Sequence, residues 1–184
     1  MSWFEVESKI EVKKEDLEVI RDRVKKIARF TKRQNKFDQY FSLKKAFYPR
    51  KAFRIRSDGK ENIVNFKEWI KKFWGEGVVV KEEYEFKIEN KEHFLALMKD
   101  LGFKEWIKKL KISETYRHKK YKKLNIEINE VKGLGHFIEI EYLAKKSEIN
   151  TAKYLIVKTI KDLKLNKNNI DNTGYTKMLW KKSH

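Results

Sequence analysis

Glu5, Glu7, Lys9 and Glu11 recur at every second residue near the start of a chain of 184 residues. Side chains alternate across an extended strand, so all four point to one side of it. Carboxylate oxygens suit hard divalent cations such as Mg²⁺ or Mn²⁺, and fixed ammonium or guanidinium groups suit the phosphates that such cations accompany. The spacing returns at Arg54 and Arg56, at Asn65 and Lys67, and at Lys81, Glu83, Glu85 and Lys87. It returns again at Glu127 and Asn129 and at Glu139 and Glu141. Taken alone, Glu5 and Glu7 read as the wetted face of a surface strand. The downstream pair Glu139 and Glu141 adds a second set of oxygens and favours a metal site. The chemistry permitted is two-metal phosphoryl transfer: Glu5, Glu7, Glu139 and Glu141 as ligands, and Lys9, Arg54, Arg56, Lys67 and Lys81 around the phosphates. Glu83 and Glu85 either ligate metal or orient the bases. Only Arg21, Arg23, Arg29, Arg33, Arg50, Arg54, Arg56 and Arg117 among 45 basic residues are arginine. Where lysine is the default base, the paired forks of Arg54 and Arg56 stand out as phosphate grips.

The elements that position these residues follow from what lies between them. Phe53 and Ile55, Val64 and Phe66, Tyr84 and Phe86, Ile126 and Ile128, and Ile138 and Ile140 give nearly every strand one apolar face. If helices cover those faces, the charged faces meet one another, and a sheet closed on itself encloses them in a polar lumen. Strands are expected over Trp3 to Val12, Lys36 to Phe41, Phe53 to Arg56, Asn62 to Trp69, Val78 to Glu89, Phe103 to Tyr116, Tyr121 to Val131 and Phe137 to Tyr142. Ser57-Asp58-Gly59-Lys60 reads as a hairpin turn, and the stretch from Ser42 to Lys51, with Pro49, as a loop able to reach over a lumen mouth. The apolar stripe Leu17, Ile20, Val24 and Ile27 predicts a helix from Lys14 to about Phe30. Asn90 caps a helix carrying Phe94, Leu97, Met98 and Leu101, with Gly102 as its stop, and Ser147 caps a long last helix. Tyr175 to Trp180 reads as a short helix packed on the barrel. The aromatic stretch from Trp69 to Gly77 reads as packing. The whole is one α+β domain over 1–184, an eight-stranded antiparallel closed β-barrel with helices outside.

These motifs, in order from Glu5-x-Glu7-x-Lys9 through Arg54-x-Arg56, Lys67 and Lys81-x-Glu83-x-Glu85 to Gly133-Leu134-Gly135-His136-Phe137-Ile138-Glu139-Ile140-Glu141, resemble the CYTH family, or triphosphate tunnel metalloenzymes. That family contains class IV adenylyl cyclases, thiamine triphosphatases and inorganic triphosphatases. The resemblance implies that glutamates hold Mg²⁺ or Mn²⁺ and that bases grip a triphosphate. By it, Lys111 and Arg117 join Lys81 and Lys87 as substrate-binding candidates, and Glu127 and Asn129 join the metal set. Catalytic roles fall to Lys9, Arg54, Arg56 and Lys67. The family commonly has an acid where this chain has Asn129, which lowers the negative charge of the ligand set. The Asp-x-Tyr-Phe segment at Asp38 is mainly structural in the family.

A formal net charge of +18 allows a nucleic-acid binder, yet glutamates sharing strand faces with lysine would repel a phosphate backbone. Length and layout rank a cyclase turning ATP into cyclic AMP and pyrophosphate first. A triphosphatase acting on tripolyphosphate, thiamine triphosphate, a nucleotide or an RNA 5′-triphosphate follows, then a non-catalytic polyphosphate- or nucleic-acid-binding module. No Ser-His-Asp pattern or phosphate-cradling glycine loop points to covalent catalysis. With no cysteine, no apolar run near the roughly 20 residues of a membrane span and no signal-peptide pattern, a cytoplasmic protein is expected. A homodimer is compatible with this reading.

Overall fold

The computed structural model describes residues 3–43, 48–49, 52–57 and 61–183. Eight strands run in the order β1 (Trp3–Val12), β2 (Ala28–Ser42), β3 (Phe53–Ser57), β4 (Asn62–Trp69), β5 (Val79–Ile88), β6 (Lys104–His118), β7 (Leu124–Val131) and β8 (Gly135–Ala144). They close into an antiparallel barrel with neighbours β1-β5-β4-β3-β2-β6-β7-β8. Period-two alternation sets the register: Ile126 pairs with Ile140 and Ile128 with Ile138 on the outer face, while Glu127 faces Glu139 within.

Helices cover the apolar outer wall. α1 (Leu17–Ile27) and α3 (Ile149–Asp162) bury Ile20, Val24, Ile149, Ile156 and Ile160 against Val6, Ile10, Ile126, Ile138 and Ile140. α2 (Lys91–Asp100), whose Asn90 cap accepts a 2.8 Å bond from the His93 amide, lays Phe94, Leu95 and Met98 on Phe53, Ile55 and Val64. α4 (Tyr175–Ser183) packs Tyr175 and Met178 with Val131, Leu134 and Phe137. Ahead of α4, the chain from Ile170 to Asn172 runs beside β1: Ile10 bridges Ile170, and the Lys9 amide donates to Asn172 Oδ1 at 3.0 Å. Asn172 and Ser8 both donate to the Gly77 carbonyl, at 2.7 and 2.8 Å. Gly77 needs its lack of a side chain there, since φ is +75° and a Cβ would meet Ile170 Cδ1 at 2.8 Å.

Three expectations change. The first helix stops at Ile27, and β2 begins at Ala28 rather than near Lys36, because the stretch from Ala28 to Asn35 pairs with β6 as far as His118. Local helical pattern yields to a partner far away in sequence, which no window on that stretch displays. Ser147 is not the cap of the last helix: a 3₁₀ turn at Lys146–Glu148 precedes α3, and the Lys145 amide donates to Glu148 at 2.7 Å. α4 closes one end of the barrel as well as packing on it. Trp69 and Trp74 meet edge to face at 5.4 Å, as packing residues do. Asp58, Gly59 and Lys60 of the expected turn, and most of the loop after Ser42, lie outside the described residues.

Candidate active site

Inward-facing positions of the eight strands bring together Lys9, Lys36, Arg54, Arg56, Lys67, Lys81, Lys109 and Lys111 with Glu5, Glu7, Asp38, Glu83, Glu85, Glu127, Glu139 and Glu141. Eight cations therefore face eight acids, and ion pairing lets both signs be buried.

The pairs form three groups. Along β1, β4 and β5, Lys67 bonds Glu5 at 2.7 and 2.9 Å and also contacts Glu83, while Lys81 reaches Glu5 at 3.3 Å and Glu7 more closely. Around β2 and β3, Asp38 is fully buried. It accepts both Nε and Nη2 of Arg56 at 2.7 and 3.0 Å, with Lys109 at 3.0 Å and Arg54 at 3.9 Å. Burial alone would raise its carboxyl; Lys109, Arg54 and Arg56 hold it well below the usual range. Glu85 accepts from Arg54 at 3.3 Å and from Asn65 at 2.8 Å. Between β6, β7 and β8, Lys111 bridges Glu127 and Glu139 at 2.9 and 2.8 Å, and Lys36 bonds Glu127 at 2.6 Å.

Lys9 stands apart. Its ammonium donates to the Thr173 carbonyl and lies 4.3 Å from the Tyr175 ring, so the segment leading into α4 holds it. Burial brings it down to about 8 despite the charges of Glu139 and Asp171. Tyr175 reaches into the lumen from α4, edge to face with Phe137 at 5.1 Å, and burial, then the charges of Glu139 and Glu7, hold its hydroxyl well above the usual pKa.

The carboxylates of Glu7 and Glu141 sit opposite one another in register. Burial and then the charges of Glu5 and Glu127 push Glu141 well above the carboxylate range. Asn129, fully buried, donates its amide to Glu139 at 2.7 Å and leaves Oδ1 with no donor among the described residues. Crowded oxygens with raised pKa and an orphaned amide oxygen fit a hard cation. Among the described residues no three acidic or histidine side chains already converge as ligands; lysine ammoniums hold several of those oxygens, and a cation would exchange with them.

Glu7 gives this exchange a pH signature. Burial pushes it from 4.5 to about 8, with Glu5 and Glu139 adding to the rise against Lys81. Between those values the folded chain binds more protons than the unfolded one, so its contribution to stability falls as pH rises. A cation bound there would displace the proton, so stabilisation by metal would grow over the same interval. Thermal unfolding with and without Mg²⁺ at about pH 6 and about pH 9 should show the larger metal-induced rise in Tm at the higher pH. Equal rises would remove Glu7 from the ligand set.

The structure thus brings together Glu5, Glu7, Lys9, Arg54, Arg56, Lys67, Lys81, Glu83, Glu85, Lys111, Glu127, Asn129, Glu139 and Glu141. It does not bring in Lys87, an exposed residue paired with Glu61 at 2.5 Å, or Arg117, exposed at the end of β6 opposite Arg29. Sequence reading passed over Asp38, Lys36, Lys109 and Tyr175. Lys36-x-Asp38-x-Tyr40 shows the same alternation, and Lys109-x-Lys111 repeats the spacing of Arg54-x-Arg56, concealed because Lys108 is also basic.

The family model described as CYTH domain matches residues 4–175. A protein of Methanocaldococcus jannaschii, named as a candidate adenylate cyclase, is 31% identical over 183 residues, covering 94% of this chain and 98% of its own. A solved protein of Pyrococcus horikoshii superposes with a TM-score of 0.76 at 26% identity, covering 97% of this chain and 99% of that one. A conserved hypothetical protein of Pyrococcus furiosus gives 0.73 at 28%, covering 93% and 97%.

Proposed function

The chain belongs to the CYTH domain family, and from that premise we propose that it is a divalent-metal-dependent enzyme cleaving a phosphoanhydride of a triphosphate held in the barrel. The observation that carries this reading is the interleaving of eight cations with eight acids on inward-facing positions. A metal–triphosphate complex brings charges of both signs and can exchange with internal ion pairs of both signs.

Arg54, Arg56 and Lys109 form one phosphate grip, with Asp38 holding the forks in place. The Arg54 Nε is buried without an acceptor among the described residues, a donor ready for a phosphate oxygen. Lys67 and Lys81 form a second grip, and Lys36 and Lys111 a third. Glu7, Glu139 and Glu141 with Asn129 Oδ1 are the groups that would hold Mg²⁺ or Mn²⁺, whose contribution when bound is to neutralise charge on the phosphate oxygens. Lys9 Nζ, near 8, can hold or release a proton close to neutral pH.

Hydrolysis of the terminal phosphate asks only for the phosphate and metal partners that line the lumen. Cyclisation of ATP uses the same grip with the ribose hydroxyl attacking, and the name of the 31% identical relative favours it. Incubation with ATP, tripolyphosphate and thiamine triphosphate plus Mg²⁺ or Mn²⁺, resolving cyclic nucleotide, pyrophosphate and orthophosphate, separates the two. No product from any of them sinks the enzyme reading.

Arg54→Ala should weaken tripolyphosphate binding roughly tenfold to a hundredfold, as loss of a charge-assisted bond of about 1.5–3 kcal/mol does. Arg33→Ala, on the outer face opposite Glu114, should change it little. Titration calorimetry on both variants tests this, and equal losses would point to diffuse polyanion binding.

A further inference from the structure

β3 covers only part of β2. Their pairing runs from Phe37 to Phe41 and stops where β3 stops, at Ser57 opposite Phe37, whereas β6 follows β2 back to Ala28. Ala28 to Lys36 is therefore an edge within an otherwise closed barrel, with β6 on one side and no strand of the described residues on the other. Every second residue of an antiparallel strand turns its N–H and C=O away from the partner strand. Among the described residues no turn or loop backbone bonds those groups along this edge. A bulge between Phe30 and Lys32 interrupts the ladder, and the register then runs unbroken from Lys32 to Tyr40. Lys32 to Lys36 is thus a regular strand segment with one side free.

Both faces of the strand are bare beside that edge. Arg29, Phe30, Thr31, Lys32 and Arg33 are all exposed. The bulge puts Arg29, opposite Arg117, and Lys32, opposite Thr115, on the face that continues the lumen wall, and leaves Phe30 and Arg33 on the outer face. Phe30, 57% exposed, and the cross-strand pair Phe37 and Leu110, 39% and 37% exposed, bracket the segment with uncovered apolar surface. Arg29 and Lys32 have no hydrogen bond or ion pair among the described residues. The acids in register with the edge are already held: Glu114, opposite Arg33, by Arg21 at 2.9 and 3.2 Å, and Glu127, opposite Thr115, by Lys36 and Lys111 at 2.6 and 2.9 Å.

The charge on the edge decides what can cover it. Two copies of this chain joined edge to edge would set Arg29, Lys32 and Arg33 against the same three residues, and like charges across a strand pair repel. Bases and a bulge therefore guard the edge against its own kind. The same bases attract a strand that carries carboxylates. We propose that the β2 edge from Lys32 to Lys36 is a docking site for an acidic, extended segment of a partner protein, added as a further strand in the lane that β3 vacates at Ser57. The backbone of the segment completes the ladder. Its carboxylates, at every second position, face Arg29 and Lys32, and the apolar side chains between them lie on the outer face with Phe30 and Phe37. The site needs nothing in the lumen and stands apart from the enzyme reading above.

The test is binding of a peptide of about eight residues that alternates glutamate with valine, read by fluorescence anisotropy and by hydrogen exchange of the β2 amides. Its controls are the same peptide N-methylated at alternate backbone amides, a peptide of the same composition with its glutamates in one block, and a peptide alternating lysine with valine. The wild type should bind the first peptide and slow exchange between Lys32 and Lys36. N-methylation should weaken binding about tenfold, because it removes donors from the new ladder. The Arg29→Glu/Lys32→Glu variant should lose about tenfold for the glutamate peptide and bind the lysine peptide more tightly than the wild type does. Absence of binding overturns the proposal. Equal binding of the N-methylated or the block peptide overturns it in favour of diffuse attraction to a chain of net charge +18. Slow exchange of the same amides without peptide, together with the sedimentation mass of a dimer, overturns it in favour of a second copy. The N-methylation comparison uses the wild type alone, so it decides the pairing whether or not the variant folds.

Discussion

Asp38→Asn should lower the unfolding free energy by about 3–5 kcal/mol when no anion is present, the range for breaking a buried charge network from one side. Asp38 is fully buried and is the shared acceptor for Arg56, Lys109 and, at longer range, Arg54. An amide at that position keeps one acceptor oxygen, loses the charge and turns its NH₂ toward groups that only donate. Three cations then face one another with Glu85 as the nearest remaining acid on Arg54. A purely structural role and a role at a phosphate site differ in what repairs the damage. If these cations grip phosphate, tripolyphosphate supplies the missing negative charge and should stabilise the variant more than the wild type. Chemical denaturation of both proteins with and without tripolyphosphate checks this. A loss below about 1 kcal/mol would mean that the network contributes little. A loss that tripolyphosphate leaves untouched would separate Asp38 and its cations from the substrate.

The sequence made the barrel legible because a period of two is a strong signal when one face is apolar and the other charged. Glu5 and Glu7 on β1 or Glu139 and Glu141 on β8 can occupy one lumen only if their strands share a sheet, and their alternation with Val6, Ile138 and Ile140 fixes which way they face. Residues whose inward direction depends on a distant partner were not legible. Ala28 to Asn35 reads as the tail of a helix until β6 is laid beside it, and the bulge that turns Arg29 and Lys32 to the same face is invisible to any count of twos. Lys109 was lost in a run of bases in which charge carries no phase. Tyr175 was lost because the face a helix buries is legible, whereas the cavity it enters is set by the chain from Ile170 to Thr173 running beside β1.

The balance of the lumen also explains how so many charges are buried in one barrel. Each grip is closed by an internal acid: Asp38 for the arginines, Glu5 and Glu83 for Lys67, Glu127 and Glu139 for Lys111. In the proposed reading, phosphate binding would be an exchange of acceptors, its free energy the difference between two sets of charge-assisted bonds. Net affinity should accordingly be modest per contact and sensitive to any change in the internal acids.

Asn129→Asp tests that sensitivity where metal is expected. Asn129 is fully buried, its amide donating to Glu139 at 2.7 Å, and Glu139 in turn accepts from Lys111. An aspartate cannot donate there when ionised, so a carboxylate would face a carboxylate in a dry setting. Without metal the variant should lose about 3–5 kcal/mol or protonate one of the pair. With metal the same carboxylate becomes a charged ligand beside Glu139, so Mg²⁺ should recover stability and the metal concentration needed for turnover should fall. If Asn129 instead contacts substrate through its free Oδ1, the added charge weakens triphosphate binding and leaves the metal requirement where it was. Denaturation midpoints across a Mg²⁺ titration, together with turnover as a function of Mg²⁺ and of substrate, distinguish the two. A metal requirement that is unchanged or higher in the variant removes Asn129 from the ligand set and leaves its amide as the donor that keeps Glu139 ionised and aimed at Lys111.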